Sequence, residues 1–363
     1  MAYVFNTDLL LPEADLAKAR ELYPRLAFAL DNPALREAFS PIDRRANLSK
    51  TRSRRWGVAA VFLATLALML AAAEVLYHHA DEHLVRMLAG VGALAGIASV
   101  LIGVFGVMFR ERKIQWLKDR LATERLRQFH FQYFVAHIGE AMKAAGDEAA
   151  RAGFIQKRKE AFDAFWSSLQ PRLGEELKHV VEAEEMGDGL FFGSKPEAID
   201  EQNAVLDEYY KAYEKLRFTR QIDYCNLILR EKGGLWKHAP ISQAKILGGL
   251  AFFCVLAILA LHALIFFGAL GEIHWMKSPM IHVAAIWAAI IALSARTLED
   301  GFQPETEIER MRQYRLSLTR IYDRFKAAPT HAEKYAAMMD LEKLSYEEMV
   351  LFLKTNHEAQ FVM

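Results

Sequence analysis

Four long apolar runs interrupt an otherwise polar chain. They cover residues 57–77 (GVAAVFLATLALMLAAAEVLY), 87–109, 246–270 (ILGGLAFFCVLAILALHALIFFGAL) and 280–297 (MIHVAAIWAAIIALSART). Each approaches or exceeds the roughly 20 residues an α-helix needs to cross the hydrocarbon core of a bilayer. One such run can be a buried helix of a soluble protein. Four of them, set in two close pairs, predict two membrane hairpins.

The polar stretches carry helical periodicity. "RERKIQWLKDRLATERLRQFHFQYFVAHIGEAMKAAG" (110–146) has no proline, and its Ile114, Leu117 and Leu121 recur at helical spacing, so it predicts a helix continuing the second run. A second helix is expected over 148–185, bent at Pro171, before "MGDGLFFGSKP" (186–196), whose glycines and proline signal a turn. A third helix is expected over 197–232, and two more over 304–325 and 331–360. No stretch alternates with period two. The expected fold is an all-α membrane protein: two transmembrane helical hairpins, four spans in all, with long exit helices forming a cytoplasmic helical bundle. Its segments are 1–56 (cytoplasmic N-terminal helices), 57–109 (first hairpin), 110–245 (cytoplasmic helices), 246–297 (second hairpin) and 298–363 (cytoplasmic C-terminal helices).

Orientation follows from basic residues. "RRANLSKTRSRRW" (44–56) sets six Arg and Lys before the first span, "RERK" (110–113) follows the second, and Arg230, Lys232, Lys237 and Lys245 precede the third. The connections "HHADEHLVR" (78–86) and "GEIHWMKSP" (271–279) carry little positive charge. The positive-inside rule then predicts both termini and the middle segment in the cytoplasm, with Trp56 and Trp275 at water boundaries. Residues 1–56 show no signal-peptide pattern, so the first span is expected to direct insertion.

Composition adds exclusions. The 363 residues balance to a formal net charge of zero, so no basic field favours nucleic acid, and no nucleic-acid partner is expected. A mean hydropathy of +0.04 hides the segregation of apolar from charged stretches. Cys225 and Cys254 lie in unlike settings, which points neither to a disulfide nor to zinc.

An internal echo divides the chain. "ERLRQFHFQYF" (124–134) follows the second span and "ERMRQYRLSLTRIYDRF" (309–325) follows the fourth, in the same orientation. A basic segment, paired apolar helices and an exit helix with Glu-Arg-x-Arg-x-aromatic resemble the SLATT superfamily, with two tandem copies over about 20–360. "WLKDRLATERLRQF" and "EKLSYEEMVLFLKTNHEAQF" carry the likeness beyond hydropathy. The resemblance implies an oligomeric two-span effector of the bacterial inner membrane, pore-forming or depolarising, in conflict systems such as phage defence. Membrane lipids, a homo-oligomer and a nucleotide-sensing or other cytosolic partner are the expected associations. No cofactor is expected.

The second span keeps small residues at Ala89, Gly92, Gly96, Ser99, Gly103 and Gly106, in steps of three and four. Such a face serves close helix packing in lipid or, turned to a common axis, lines a pore. The first span repeats the pattern at Ala60, Ala64, Ala67 and Ala71, followed on that face by Glu74, and the fourth at Ala285, Ala288, Ala292 and Ala295. A carboxylate at the bilayer centre costs roughly 2.5–3.5 kcal/mol, so intramembrane Glu74 and His262 are candidates for a shared aqueous vestibule near the outer face. The plainer alternative has Glu74 reaching outward to water and His262 bonded to a backbone carbonyl.

Other constellations read as structure. "HHADEH" (78–83) has metal-binding residue types but is a short polar loop, so no metal site is expected. Phe129 and Tyr133, interleaved with basic residues, could stack a nucleobase, though helix packing explains them too. The glycines of "GDGLFFGSKP" lack phosphate-loop spacing. Glu342, Glu347, Glu348 and His357 read as a solvated acidic face. No catalytic arrangement is apparent and no enzyme is expected. Beside the pore-forming effector stand a non-conducting anchor that recruits a cytosolic partner and a small ion transporter.

Overall fold

The computed structural model describes residues 6–76, 82–104, 106–183, 189–193, 203–230, 239–271 and 278–359, with single positions 187, 199, 232, 233, 235 and 275. Over 103–104, 106–110 and at 112 only the helical backbone is described. Among the described residues there is no strand. The helices are α1 (Glu13–Leu22), α2 (Ala27–Leu30), α3 (Pro33–Ala73), α4 (Glu82–Val104), α5 (Gly106–Ala136), α6 (Ile138–Gly146) and α7 (Glu148–Glu182). After them come α8 (Ala204–Tyr213), a π-helical turn (Glu214–Thr219), α9 (Arg220–Arg230), α10 (Pro240–Leu270), α11 (Pro279–Phe302), α12 (Pro304–Ala327) and α13 (His331–Glu358). Among the described residues four helices are long and apolar enough to cross a membrane, and their apolar stretches lie in α3, α4, α10 and α11.

The chain divides into two compact units. One gathers Met1–Leu48, Gln115–Arg230 and Glu309–His357; the other gathers Ser49–Ile114, Glu231–Ile308 and Glu358–Met363. The polar segments 1–56, 110–245 and 298–363 thus contribute most of their length to a single unit. Helices α3, α5 and α12 each carry residues of both units without interruption.

Aromatic side chains dominate the first unit's interior: Phe39, Phe129, Phe134, Tyr209, Phe218 and Phe325 are fully buried. Phe134 stacks on Tyr209 with ring centroids 4.2 Å apart, and Phe129 on Phe165 at 4.7 Å. Offset stacking of this kind adds roughly 0.5–1.5 kcal/mol beyond the area buried. Arg158 reaches from α7 to the end of α2, donating to the carbonyls of Phe28 (3.1 Å), Ala29 (2.5 Å) and Asp31 (2.5 Å). Those are carbonyls a short helix leaves unpaired.

The helix expected over 148–185 is present as α7, Glu148–Glu182, with Pro171 inside it. Two local expectations differ from the fold. The helix expected over 110–146 is interrupted at His137 (φ −113°, ψ 33°), whose ring stacks on Tyr133 at 4.0 Å. The helix expected over 197–232 is described from Ala204 onwards and contains the π-helical turn. There Leu216, Arg217 and Phe218 are buried in succession, so the chain is covered on more than one face.

In the second unit α4 packs on α3, α3 on α11, and α10 along α11. Only 11, 6 and 11% of the apolar windows of α3, α4 and α10 are buried, against 33% for α11, which makes α11 the most enclosed of the four. Its buried face is the small-residue one, with Ala285, Ala288 and Ala295 at 6, 9 and 1% exposure. Phe62, Leu94, Phe253 and Leu259 stand among the exposed large apolar side chains, each at least 66% exposed. In water that surface would be far larger than a soluble monomer tolerates; in lipid it is the favoured state.

Candidate functional site

The small-residue face of α4 is a seam with α3 along half its length. A Cβ added at Gly92 would lie 3.4 Å from the Cβ of Leu70 and 3.8 Å from the carbonyl of Ala67; one at Gly96 would lie 3.6 Å from the Cβ of Ala67. Ser99 Oγ donates to the carbonyl of Ala60 at 3.0 Å. Gly92, Gly96 and Ser99 therefore meet the alanine face of α3, as close packing in lipid requires. Ala89, on the same helix, is exposed. Gly103 and Gly106 lie where only the helical backbone is described.

Polar contacts hold α3 to α11. The Thr65 and Ser294 hydroxyls are 2.6 Å apart, each also within 2.7 Å of a carbonyl one turn back in its own helix. Trp287 Nε1 donates to the carbonyl of Met69 at 2.9 Å, near the end of α3. Two such contacts fix helix register where hydrophobicity cannot, because lipid tails are as apolar as the helix surfaces.

Glu74 and His262 each have a described setting. Glu74 opens a 3-10 turn (Glu74–Leu76) after α3 and is exposed. His262 is exposed on α10, and its Nδ1 donates to the carbonyl of Ile258 at 2.8 Å. No hydrogen bond or ion pair joins them among the described residues. Of "HHADEH", residues 78–81 lie outside the described residues; among those described, no group of three or more His, Cys, Asp or Glu is placed to hold a metal ion.

Phe129 and Tyr133 are 1 and 2% exposed and cannot stack a base. They belong to an aromatic cluster completed by Phe165, Phe191 and Phe192. Two of those rings come from the glycine-rich turn. Gly189 has a φ of +66°, and a Cβ there would fall 2.1 Å from Cγ of Tyr346. The Gly189 carbonyl accepts from Arg125 Nη1 and Gln132 Nε2, both at 3.2 Å, while Arg125 lies 4.0 Å from the centre of the Phe191 ring. The glycine serves the close approach of backbone to ring, not a phosphate.

The acidic group near the C-terminus corrects an expectation. Glu342 is not on a solvated face: it is 0% exposed and paired with Arg217 at 1%. The pair is bidentate, Nε to Oε1 at 3.0 Å and Nη2 to Oε2 at 2.8 Å. Tyr213 donates its hydroxyl to Oε1 at 2.7 Å, and the guanidinium lies 4.6 Å from the centre of the Phe131 ring. Burial alone would lower the Arg217 pKa, but Glu342 outweighs it and raises it; burial and Glu342 together push the Tyr213 hydroxyl well up. Glu348, likewise read as solvated, pairs with Arg310. The charges were visible in the sequence, yet a buried carboxylate and a surface one look alike there.

Two more titratable groups feel the charge of Arg217. Burial pushes Glu124 up, but Arg120 and Arg127 override it and hold the carboxyl at about 2. His130, 4% exposed, has no hydrogen-bond partner for Nε2 among the described residues. Burial, then the charges of Arg158, Arg217 and Arg36, push its pKa down to about 3. The imidazole is therefore neutral at physiological pH.

Comparison with known proteins returns no relative: no family model matches the chain, and no curated protein or solved structure gives a significant match.

Proposed function

We propose that the protein is an oligomeric effector of the bacterial inner membrane, with both termini in the cytoplasm. Its two hairpins permeabilise or depolarise the bilayer under the control of the helical unit. The observation that carries this reading is the continuity of α3. One unbroken helix bears Leu35, Phe39 and Ile42, buried in the first unit's core, and Ala60 and Ala67, which meet α4. A rearrangement of α3 within that core, such as a partner's docking would cause, involves the same helix that forms the first span. The distribution of Arg and Lys supports the orientation.

A second reading, a non-conducting anchor for a cytosolic partner, is favoured by the packing of Gly92, Gly96 and Ser99 inside the chain. Those residues are spoken for by α3, so α4 does not present them to a common axis.

Efflux of potassium and of a small dye from liposomes holding the purified chain separates the two. The effector reading expects efflux above that of protein-free liposomes and an altered ion preference for Glu74→Gln. A folded, membrane-inserted protein that releases neither solute supports the anchor instead.

A further inference from the structure

A cavity of about 350 Å³ opens in the first unit, where α8 faces the junction of α12 with α13. Tyr210 and Lys211 line it from α8, Phe325 and Lys326 from the end of α12, and His331 and Lys334 from the first turn of α13. Three ammonium groups thus reach one cavity from three helices. None of the packing described above accounts for them.

Their settings differ in a way that suits a ligand. Lys334 is held in place: its Nζ donates to the Phe325 carbonyl at 3.3 Å and lies 4.7 and 5.1 Å from the centres of the Phe325 and Tyr210 rings. Lys326 pairs with Asp323 at 3.2 Å, where both side chains are at least half exposed and the pair contributes little, and its Nζ lies 4.3 Å from the centre of the Tyr322 ring. Lys211 is exposed and makes no ion pair among the described residues. At the buried end the Tyr210 hydroxyl and His331 Nδ1 are 2.6 Å apart, with His331 only 6% exposed.

Two carboxylates, Asp207 and Glu214, also line the cavity and reduce the three positive charges to a formal balance of one. Glu214 accepts a hydrogen bond from the Tyr322 hydroxyl, and Asp207 is exposed. Thr330 Oγ1 accepts from the Glu333 N–H at 3.3 Å, closing the start of α13, whose dipole adds partial positive charge. Tyr210 and Phe325 supply apolar wall.

We propose that this cavity binds a phosphate group carried by a larger body. Phosphate is the anion that takes several donors from different directions, and ammonium groups are common partners for it. The volume exceeds what a lone phosphate fills and matches the lower range of small-molecule sites. The remainder, walled by Tyr210 and Phe325, fits an organic moiety. A soluble phosphorylated metabolite and a phospholipid headgroup share this chemistry. The inference does not depend on what the four apolar helices deliver.

The test is calorimetric titration of the full chain, purified in phospholipid-free detergent, with pyrophosphate at constant ionic strength. Saturable binding is expected, weakened at least tenfold in Lys211→Gln/Lys326→Gln, which alters two exposed side chains and leaves Lys334 in place. Heat no larger than that of sodium chloride at matched ionic strength overturns the proposal, as does equal affinity in the double variant. Repeating the titration in nanodiscs of phosphatidylcholine with or without phosphatidylglycerol assigns the source. Binding lost only with the anionic lipid supports a headgroup, and binding unchanged supports a soluble phosphate.

Discussion

Replacing Glu342 with leucine leaves the Arg217 guanidinium charged inside the first unit's core. Both side chains are at most 1% exposed, so water cannot reach the stranded charge without disrupting the packing. Removing one partner of such a buried pair costs about 3–5 kcal/mol. Tyr213 adds little to the loss, since its hydroxyl also lies 3.2 Å from the Met338 carbonyl and keeps an acceptor. At about 2–4 °C per kcal/mol for units of roughly 150–250 residues, the melting temperature falls on the order of 10 °C. Cys225 provides the readout. It is 0% exposed, and burial pushes its thiol up to about 12, so a thiol-reactive fluorophore labels it only on unfolding. Measured in a Cys254→Ala background, the signal reports the first unit alone. Arg217→Met/Glu342→Leu removes both charges and should recover most of the loss, because an apolar pair of similar volume has no desolvation to offset. A single variant that melts within about 2 °C of its parent, or a double variant no more stable than the single, refutes the reasoning.

Four further outcomes are expected. His130 stays neutral in the fold to about pH 3 while the unfolded chain takes up its proton below about 6.5, so stability falls as pH drops through that window. Between pH 6.5 and 5 the loss is about 2 kcal/mol, and His130→Gln should flatten the slope; an unchanged slope contradicts it. Glu124 acts lower: with its carboxyl held at about 2, its contribution is full above about 4.5 and disappears as pH falls from there towards 2. Gly189→Ala meets both a positive φ and the Tyr346 ring, for a cost of at least about 1–3 kcal/mol; Tyr346→Ala should relieve part of it, and a neutral Gly189→Ala argues against the turn's geometry. In the second unit Gly96→Ala should leave detergent stability within about 1 kcal/mol, since 3.6 Å is ordinary contact, whereas Gly96→Leu should separate α4 from α3; equal thermal stability of the two variants rejects the seam.

The apolar helices were legible because length and composition decide them locally, with no partner needed. Their pairing was legible only as a tendency. The steps of three and four at Gly92, Gly96 and Ser99 announce close packing, but the helix they meet is decided by Ala60 and Ala67 on α3. The internal echo was visible, and its physical content is core: Leu126 and Met311 are both 0% exposed, Phe129 and Tyr314 are 1 and 6%. At the next repeated position the copies part, Arg127 being buried beside Asp8 while Arg312 is exposed. Glu342 was misread because its partner lies 125 residues earlier, inside a π-helical turn that no local pattern marks. The lysine-lined cavity was invisible for the same reason, since Lys211 and Lys334 are brought together only by α8 meeting the start of α13.

The order in which this chain leaves the ribosome gives the Arg217–Glu342 pair a role in timing. Arg217 is synthesised between the two pairs of apolar helices, and Glu342 only after the second pair. Until then the first unit holds its helices up to α12, the aromatic cluster and an arginine without its acid. Completion of that unit is thereby tied to completion of everything before α13. In the folded chain α13 supplies the acid that the buried Arg217 requires, and it supplies it from beyond both pairs of apolar helices.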